Sequence, residues 1–390
     1  MQIIEVKTKQ HIKAFHQVSF GIYKNDPHWI CPLISMVENI FDPSVNKFFQ
    51  HGEATRFLLE RDGTYIGRVA AFINRKKAFT FQIPTGGMGF FECPDDMDAA
   101  FMLFDACKNW LEVREMKAMD GPINFGENDN FWGLLVEGFT EPGFGMNYHP
   151  PYYQNLFETY GFNTYFEQET QHLDRTKPFP ERFWNIARWL ISKPGFEYKH
   201  LDKKKLPEFL ADFKVVYDDA WKFHENFTPI EPGVILNAFN ESKAIIDENL
   251  IWFAYYEGKP IGFIVMFPDV NQLIKGFGGK LNWLNKIRMM YRLKIKKIHR
   301  SRIVILGVSP QYQRYGIESG LFWFLDKEML KRLWYKEVEI SWVGDFNPKM
   351  KALLYNIGAK RAKIHHTMRM VFDKDQKFVR ASEIPVNTRD

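Results

Sequence analysis

The stretch from Ile303 to Glu318 combines a buried strand with a loop that could bind an anion. Residues 303–306 are β-branched or aliphatic, which is typical of a strand buried on both faces. The chain then breaks at Gly307 and Pro310, and apolar residues recur at helical spacing after Gly316. The first N–H groups of a helix have no internal partner, and the helix dipole favours negative charge there. The pattern therefore predicts a strand, a loop and a helix that present backbone amides to an anion.

The loop sequence Gln-Arg-Tyr-Gly-Ile-Glu at residues 313–318 resembles the Q/R-x-x-G-x-G/A pyrophosphate loop of the GNAT superfamily of acyltransferases. The preceding Gly-Val-Ser-Pro at residues 307–310 resembles the end of the fourth strand of that family. A strand at 337–343 follows, and then Asn347 opens a helix that ends in Leu-Tyr-x-x-Gly, which is also similar to the family. The resemblance covers the second half of the chain and implies a mixed α/β GNAT-like fold there.

The resemblance also implies a donor and a set of site residues. The donor would be acetyl-CoA or another acyl-CoA, and the Val308 N–H would face its thioester oxygen. Asn347 would touch the pantetheine arm, and Tyr355 would donate a proton to the departing thiolate. The amides that would hold the pyrophosphate belong to Gln313, Arg314, Tyr315, Gly316 and Ile317. Because an unperturbed phenol has a pKa of about 10, Tyr355 would be protonated at neutral pH; a core aromatic residue with a satisfied hydroxyl is the alternative.

Glu339 is the candidate general base of this predicted site. Alternation along the strand places Glu339 and Ser341 on the face opposite Val338 and Ile340. A middle strand of a GNAT-like sheet has little contact with solvent. Desolvation would therefore raise the pKa of Glu339 and suit it to accept a proton from an amine. An ion pair with a neighbouring Lys or Arg is the alternative role.

One residue departs from the family pattern. The last loop position is normally Gly or Ala, and here it is Glu318. A carboxylate in the first helical turn suits the helix dipole but would repel a pyrophosphate held on the same amides. Either Glu318 points away, or this lobe binds its donor differently or not at all. The chain has no catalytic-triad spacing, metal-ligand cluster or Walker loop, so we expect no metal.

Composition places the chain among ordinary globular proteins with room for two domains. It has 390 residues, of which 45% are hydrophobic and 25% charged, with 37 Phe. The three cysteines, Cys31, Cys93 and Cys107, form no CxxC pair, which favours a reducing compartment. The N-terminus does not look like a signal peptide, and no stretch reaches the length of a membrane span. We expect a cytoplasmic protein.

The net charge of +5 is concentrated in one tract, since there is no acidic residue between Asp269 and Glu318. A local tract argues against a DNA partner that coats the whole surface. The segment from Leu281 to Ile298 carries an apolar stripe at helical spacing with Lys and Arg around it. It could be a surface helix docked on the lobe by that stripe, a basic wall for the phosphates of coenzyme A, or a contact to RNA or an anionic membrane surface.

The first half of the chain repeats landmarks of the second. The hairpin pattern from Gly63 to Phe72 recurs from Gly258 to Phe267, and the helix ending at Gly161 is matched by the one ending at Gly358. Chance similarity of Gly-rich hairpins is the alternative. The first half lacks the loop residues that would hold phosphate, and it carries aspartates there instead. We therefore expect a degenerate GNAT-like lobe that forms one wall of an acceptor cleft.

The predicted organisation has four parts. They are a degenerate lobe at 1–178, a linker helix at 179–194, a GNAT-like acyltransferase lobe at 195–373 and a polar tail at 374–390. The irregular stretch from Asp120 to Asp129 is dense in polar residues and leads to Phe131. Such a loop is either a ligand wall or a set of side chains that satisfy their own backbone.

These features favour an N-acyltransferase that moves an acetyl or other acyl group from coenzyme A to a small-molecule or peptide amine. Two alternatives remain open. Glu318 favours a non-catalytic binding protein that keeps the fold, and the basic segment from Leu281 to Ile298 favours an aminoacyl-tRNA-dependent transferase. The sequence does not specify the acceptor.

Overall fold

A computed structural model of the chain describes residues 1–222, 229–243 and 245–384. In this part of the chain thirteen strands form one mixed sheet with helices packed on its faces, which confirms the predicted mixed α/β class. Within the described residues, no helix has the length and apolar character needed to cross a bilayer. Residues 385–390 of the predicted polar tail lie outside the described residues.

The strands are β1 (Gln2–Glu5), β2 (Gly52–Arg61), β3 (Thr64–Asn74), β4 (Thr85–Glu92), β5 (Ala118–Gly121), β6 (Leu134–Glu137), β7 (Asn163–Asp174), β8 (Phe196–His200), β9 (Ile251–Tyr256), β10 (Lys259–Pro268), β11 (Arg300–Val308), β12 (Glu337–Gly344) and β13 (Lys360–Val371). The helices are α1 (Lys9–Ile22), α2 (Ile34–Phe41), α3 (Arg75–Ala78), α4 (Met97–Glu112), α5 (Tyr153–Tyr160), α6 (Glu181–Ile191), α7 (Leu206–Trp221), α8 (Pro232–Ser242), α9 (Val270–Ile274), α10 (Trp283–Lys294), α11 (Ile317–Leu330) and α12 (Pro348–Asn356).

Local sequence signals explain how several of these elements begin and turn. The Asp96 side chain accepts a hydrogen bond from the Ala99 N–H (3.0 Å) and caps α4. The β2–β3 hairpin turns at Asp62 and Gly63, which both have positive φ angles. Gly316, with a φ of +81°, directly precedes α11. Capping, turn and glycine signals are local, so they can be found without knowledge of the fold.

The same order of elements runs twice along the chain. Strand, two helices, hairpin, strand, helix, strand, helix and strand appear first from β1 to β7 and again from β8 to β13. The first copy connects β4 to α4 through the short segment between Glu92 and Met97. The second connects β11 to α11 through the longer loop between Val308 and Ile317. The predicted repeat is therefore present in the structure, and the two copies differ at the loop that the phosphate prediction depends on.

The two copies exchange their last strands. The sheet order is β1-β2-β3-β4-β5-β13-β7-β12-β11-β10-β9-β8, with β6 paired to β13 off this path. Strand β7 of the first lobe thus lies beside β12 of the second, and β13 of the second lies beside β5 of the first. The two exchanged strands pair with each other in the centre from Lys360 opposite His172 to Arg369 opposite Asn163. Each predicted lobe is therefore completed by a strand from the other.

The exchange predicts that neither half of the chain folds alone. A fragment of residues 195–390 would lack β7, which leaves β12 and β13 with unpaired edges in the middle of the sheet. We expect this fragment to be insoluble when expressed alone, and residues 1–178 and 179–390 to copurify as a soluble complex when coexpressed. Size-exclusion chromatography of both preparations measures this. A soluble 195–390 fragment with a cooperative thermal transition would contradict the exchange.

Candidate active site

A gap between β11 and β12 lies at the centre of the second lobe. The two strands pair in parallel only where Arg300 to Ile303 lie opposite Glu337 to Ile340. Beyond this point β11 continues to Val308 and β12 to Gly344 without further pairing to each other. Two parallel strands that diverge in this way leave backbone groups that the sheet itself does not satisfy. The gap can therefore accept a polar group of a ligand between the strands.

The backbone N–H of Val308 points into this gap. On the other side of β11, the Ser309 N–H donates to the Ile261 carbonyl of the antiparallel neighbour (2.9 Å). Because N–H groups alternate in direction along an antiparallel ladder, the Val308 N–H points away from β10 and toward β12. It is thus placed where an oxyanion-binding donor would have to be.

The predicted phosphate loop follows directly. Gln313, Arg314 and Tyr315 are exposed, whereas Ile317 is buried. Gly316 adopts the left-handed conformation and also lies under α6, because a Cβ at this position would come within 2.8 Å of Ile186 Cγ2. The predicted linker helix therefore packs against the start of α11.

Glu318 is held at the N-terminus of α11. Its carboxylate accepts a hydrogen bond from its own backbone N–H, and burial raises its pKa to about 7. The carboxylate therefore accepts from one of the N–H groups that a bound anion would use. With this pKa it is close to half protonated at neutral pH. The sequence left open whether the Glu318 side chain points away from the loop amides. In the structure it does not point away.

Tyr355 and Asn347 lie on α12. Tyr355 is 46% exposed, so it is not a core aromatic residue, and its hydroxyl donates to the Glu169 carboxylate of β7. Burial and the neighbouring Glu169 raise the pKa of Tyr355 above its usual value, so the phenol stays protonated. The Asn347 side chain accepts from the Met350 N–H (3.2 Å) and caps α12. The helix cap explains the position of Asn347 without a ligand.

Glu339 does not have the environment expected of a base. It is fully buried, and Oε1 lies 2.6 Å from Arg302 Nε while Oε2 lies 3.2 Å from His172 Nε2. The two neighbouring cations, Arg302 and Arg300, outweigh desolvation and hold the pKa of Glu339 well below its usual range. The expected rise in pKa is thus wrong. The contacts are those of the alternative role, an ion pair.

A segment of the first lobe covers this ion pair. The carbonyls of Glu141 and Pro142 accept from Arg300 (3.2 and 3.1 Å), and the Phe144 N–H donates to Asp269 (3.1 Å). At Gly143 a side chain is excluded, because a Cβ would lie 2.1 Å from Glu339 Oε1. We call residues 139–147 the covering segment. Buried charges of the second lobe fix its position, so the two lobes are tied together beside the gap.

Aromatic side chains of α7 form a wall on the face of β11 next to the gap. A Cβ at Gly307 would lie 2.8 Å from Trp221 Cζ3, so the indole packs directly on the backbone one residue before Val308. Tyr217 stacks on Trp221 (4.8 Å between centroids), and Phe213 stacks on Phe263 of β10 (4.4 Å). An apolar wall of this kind suits an acceptor with a hydrocarbon part.

A loop of the first lobe faces this wall. The Trp342 indole of β12 donates to the Asn128 carbonyl (3.0 Å), which holds the loop beside the diverging end of β12. The next residue, Asp129, keeps a solvent-accessible surface, while the surrounding protein raises its pKa to about 6. Burial raises the pKa of Tyr217 most, and Glu127 and then Asp129 add to the rise, so this loop is within electrostatic range of Tyr217. Asp129 is therefore an exposed carboxylate on the side of the first lobe that is turned toward α7.

An aromatic cavity of about 180 Å³ lies behind the same loop, in the first lobe. Asn128 forms part of its lining, next to the cleft that Asp129 faces. The other aromatic and polar lining residues include Phe48, Phe72, Phe81, Phe125, Phe166 and Asp120. Asp120 is not open to a ligand, because both of its carboxylate oxygens accept from Arg369 (2.6 and 2.7 Å). The cavity is thus mainly apolar.

The structure brings together only some of the predicted residues. Val308 and the Gly316 loop follow each other at the gap, and Tyr355 reaches toward β7. Asp129 was named in the sequence only as part of a polar loop, because an aspartate in a loop has no distinctive spacing. The packing of α7 against β11 could not be predicted from the sequence either. The Gly at position 307 is the one local signal, since it permits Trp221 to pack against the strand.

The ion-pair role of Glu339 gives a stability prediction. Glu339→Gln leaves Arg302 buried without its carboxylate, so we expect a loss of about 3 kcal/mol in the free energy of unfolding. The control is Glu337→Gln, which removes a half-exposed carboxylate near His172 and should cost about 1 kcal/mol or less. Urea unfolding followed by tryptophan fluorescence measures both. An unchanged stability together with a lost activity would return Glu339 to the role of a base.

Comparisons with known proteins agree with this architecture. No protein-family model matches the chain. A tandem GNAT protein from the clavulanic acid biosynthesis pathway superposes with a TM-score of 0.57 at 8% identity, covering 96% of this chain and 99% of that one. A GCN5-related N-acetyltransferase from Sphaerobacter thermophilus superposes with a TM-score of 0.52 at 12% identity, covering 98% of each chain. These likenesses confirm the predicted fold of two GNAT-like lobes.

Two curated proteins are similar in sequence over nearly the whole length. The bacterial ceramide synthase of Caulobacter vibrioides is 30% identical over 377 residues, which cover 94% of this chain and 96% of that protein. Protein YghO of Escherichia coli is 24% identical over 360 residues and 90% of both chains. The chain therefore belongs to the same family as the bacterial ceramide synthase.

Proposed function

We propose that the protein is an N-acyltransferase that moves a fatty acyl group from coenzyme A to the primary amine of a long-chain amino alcohol. The observation that carries acyl transfer is the gap between β11 and β12, into which the Val308 N–H points. The acceptor class is supported by the 30% identical relative, whose name describes the formation of a ceramide. A ceramide is the amide of a fatty acid and a sphingoid base, so its synthesis requires an amine with a long hydrocarbon chain.

The donor would bind at the start of α11. The backbone amides of residues 313–317 would hold the pyrophosphate, with the helix dipole favouring its charge. The thioester carbonyl would lie in the gap, where the Val308 N–H stabilises the oxyanion. Tyr355 is the candidate acid for the departing thiolate, since its phenol is protonated and lies on the helix that follows β12. Its hydroxyl must leave Glu169 to do so.

The acceptor would enter from the opposite face, between the two lobes. Trp221 and Tyr217 offer an apolar surface beside Gly307, and the aromatic cavity behind Asn128 offers room for part of an alkyl chain. Burial of each methylene group contributes about 0.8 kcal/mol, or roughly a fourfold gain in affinity. A cleft lined in this way would therefore select long-chain amines over short ones.

Asp129 is the candidate general base. Its carboxylate borders the cleft, and its pKa of about 6 leaves it ionised but still basic at neutral pH. It would take the proton of the acceptor ammonium, and the free amine nitrogen would attack the thioester carbon. The tetrahedral oxyanion would be held by the Val308 N–H. The C–S bond then breaks, and the thiolate takes the proton of Tyr355. The nitrogen loses its remaining extra proton to solvent, which leaves the neutral amide, and solvent reprotonates the phenol.

The test is an acyl-transfer assay with purified protein, palmitoyl-CoA and a panel of amines, read by mass spectrometry of the amide product. We expect a sphingoid base to react and a short amino alcohol or a peptide amine to react far more slowly. Asp129→Asn should lower kcat/KM by about a hundredfold or more. It should also remove the fall in rate below pH 6, because that fall reports protonation of the Asp129 carboxylate in the wild type.

Glu127→Gln is the matched control, because it neutralises an exposed carboxylate of the same loop. Glu127 helps to raise the pKa of Asp129, so this variant should move the acidic limb to lower pH and keep it. We expect its rate to stay within about twofold of the wild type. If Asp129→Asn keeps the acidic limb of the profile, another group is the base. If no amine in the panel is acylated, the result favours the second candidate function, which is the binding of lipid or acyl-CoA without catalysis. The contact of Glu318 with its own amide and the position of Ile186 over Gly316 favour that candidate.

Donor binding should depend on the charge of Glu318. Its pKa is raised to about 7, so the carboxyl is mostly neutral at pH 6 and mostly charged at pH 8. A charged carboxylate repels a pyrophosphate on the neighbouring amides. We therefore expect the dissociation constant for acetyl-CoA to rise roughly fivefold between these pH values in the wild type and to stay flat in Glu318→Gln.

Isothermal titration with acetyl-CoA measures the dependence, and Gly316→Asp is the disrupting control. An aspartate there would be strained at a φ of +81° and would place a second carboxylate in the loop, so binding should be lost. Equal pH dependence in the wild type and in Glu318→Gln would move the donor away from these amides.

A further inference from the structure

Helix α10 is attached to the second lobe by a narrow side that mixes polar and apolar residues. Asn285 and Met289 are buried, and the Asn285 side chain donates to the Lys280 carbonyl (2.8 Å). The Arg292 guanidinium donates to the carbonyls of Leu273 and Lys275 (2.7 and 2.9 Å). The inner side of the helix is thus fixed by these hydrogen bonds to the preceding segment and by Met289 and Leu293, which pack on the hydrophobic core.

The apolar side of α10 faces outward. Trp283, Ile287 and Tyr291 are 69%, 58% and 62% exposed. They recur at a spacing of four residues and therefore share one face of the helix. Leu284, Met290 and Ile295 are also exposed on this side. The interpretation that the apolar stripe docks on the lobe is therefore wrong for all but Ile298, which is buried. Helical periodicity identifies an apolar face but does not specify what covers it.

Basic side chains border the exposed apolar face. Lys286 and Arg288 flank it on either side, and Lys294 lies within it. The exposed lysines Lys296 and Lys297 follow the end of the helix, and there is no acidic residue in the sequence between Asp269 and Glu318. An apolar ridge with a cationic border matches the chemistry of a bilayer surface, where acyl chains lie beneath anionic headgroups.

We propose that α10 binds the surface of an anionic lipid bilayer. Trp283, Ile287 and Tyr291 enter the boundary between headgroups and acyl chains, while Lys286 and Arg288 contact lipid phosphates. The helix axis lies parallel to the membrane plane, since the apolar residues extend along the helix rather than cluster at one end. This inference rests on α10 alone and does not depend on the proposed reaction.

Two other partners fit the same face less well. RNA phosphates would contact the cations and RNA bases would stack on Trp283 and Tyr291. Neither interaction accounts for exposed aliphatic side chains such as Ile287. A second copy of the chain would bring two sets of the same lysines and arginines against each other, because a two-fold interface uses one patch twice. Charge complementarity therefore favours the anionic membrane.

Vesicle flotation with the purified full-length protein tests the proposal. The probes are vesicles of phosphatidylcholine alone and vesicles that also contain phosphatidylglycerol. We expect binding to the mixed vesicles that falls with added salt, and weaker binding to phosphatidylcholine. Ile287→Asp should lower partitioning by about tenfold, and Lys286→Glu with Arg288→Glu by at least as much. Both changes are at exposed positions, so thermal melting should match the wild type.

Trp189→Ser is the matched control, because Trp189 is an exposed aromatic residue on a different helix, α6. We expect it to bind vesicles like the wild type. Equal binding of the wild type and Ile287→Asp to mixed vesicles would overturn the proposal. So would binding to transfer RNA in a mobility-shift assay with no binding to vesicles. A dimer in solution that Ile287→Asp dissociates, again without vesicle binding, would assign the face to self-association instead.

Discussion

The antiparallel pair of β7 and β13 is the constraint on which the rest of the molecule depends. Each strand closes the sheet of the other lobe, and together they join the lobes into one sheet. Their side chains also carry part of the buried polar contacts, such as His172 with Glu339 and Arg369 with Asp120. The relative position of the two lobes is therefore set by backbone hydrogen bonds, not by a flexible linker.

This arrangement divides the proposed chemistry between the lobes. The second lobe supplies the gap, the Val308 N–H and the loop at Gly316, while the first supplies the loop with Asp129. The Asn128 carbonyl accepts from Trp342, so the loop that carries the proposed base is held by a strand of the other lobe. The first lobe lacks a phosphate loop because β4 passes almost directly into α4, yet it still forms part of the site.

Local signals in the sequence predict the order of the elements, but they do not predict the contacts between elements that are far apart in the chain. Gly316 and Asp96 act within their own turns, so capping and backbone rules identify them. The strand exchange depends on which edges meet, which residue periodicity does not encode. Alternation predicts that Glu339 faces inward but cannot show that Arg302 lies opposite it, so the ion pair appears only in the structure. The outward direction of the apolar face of α10 could not be predicted for a similar reason. Helical spacing of apolar residues has the same pattern whatever covers the face.

The symmetric exchange of β7 and β13 also bears on the origin of the chain. Two copies of a single lobe that swapped their last strands would build the same sheet order as a dimer. Fusion of such a dimer needs only a connection from the end of one copy to the start of the next, which here is the stretch from Arg175 to Gly195 around α6. In such a fused chain the two copies would be free to diverge, and here they differ in the connection from β4 to α4 and from β11 to α11. The strand pairing would then keep the diverged halves in one sheet.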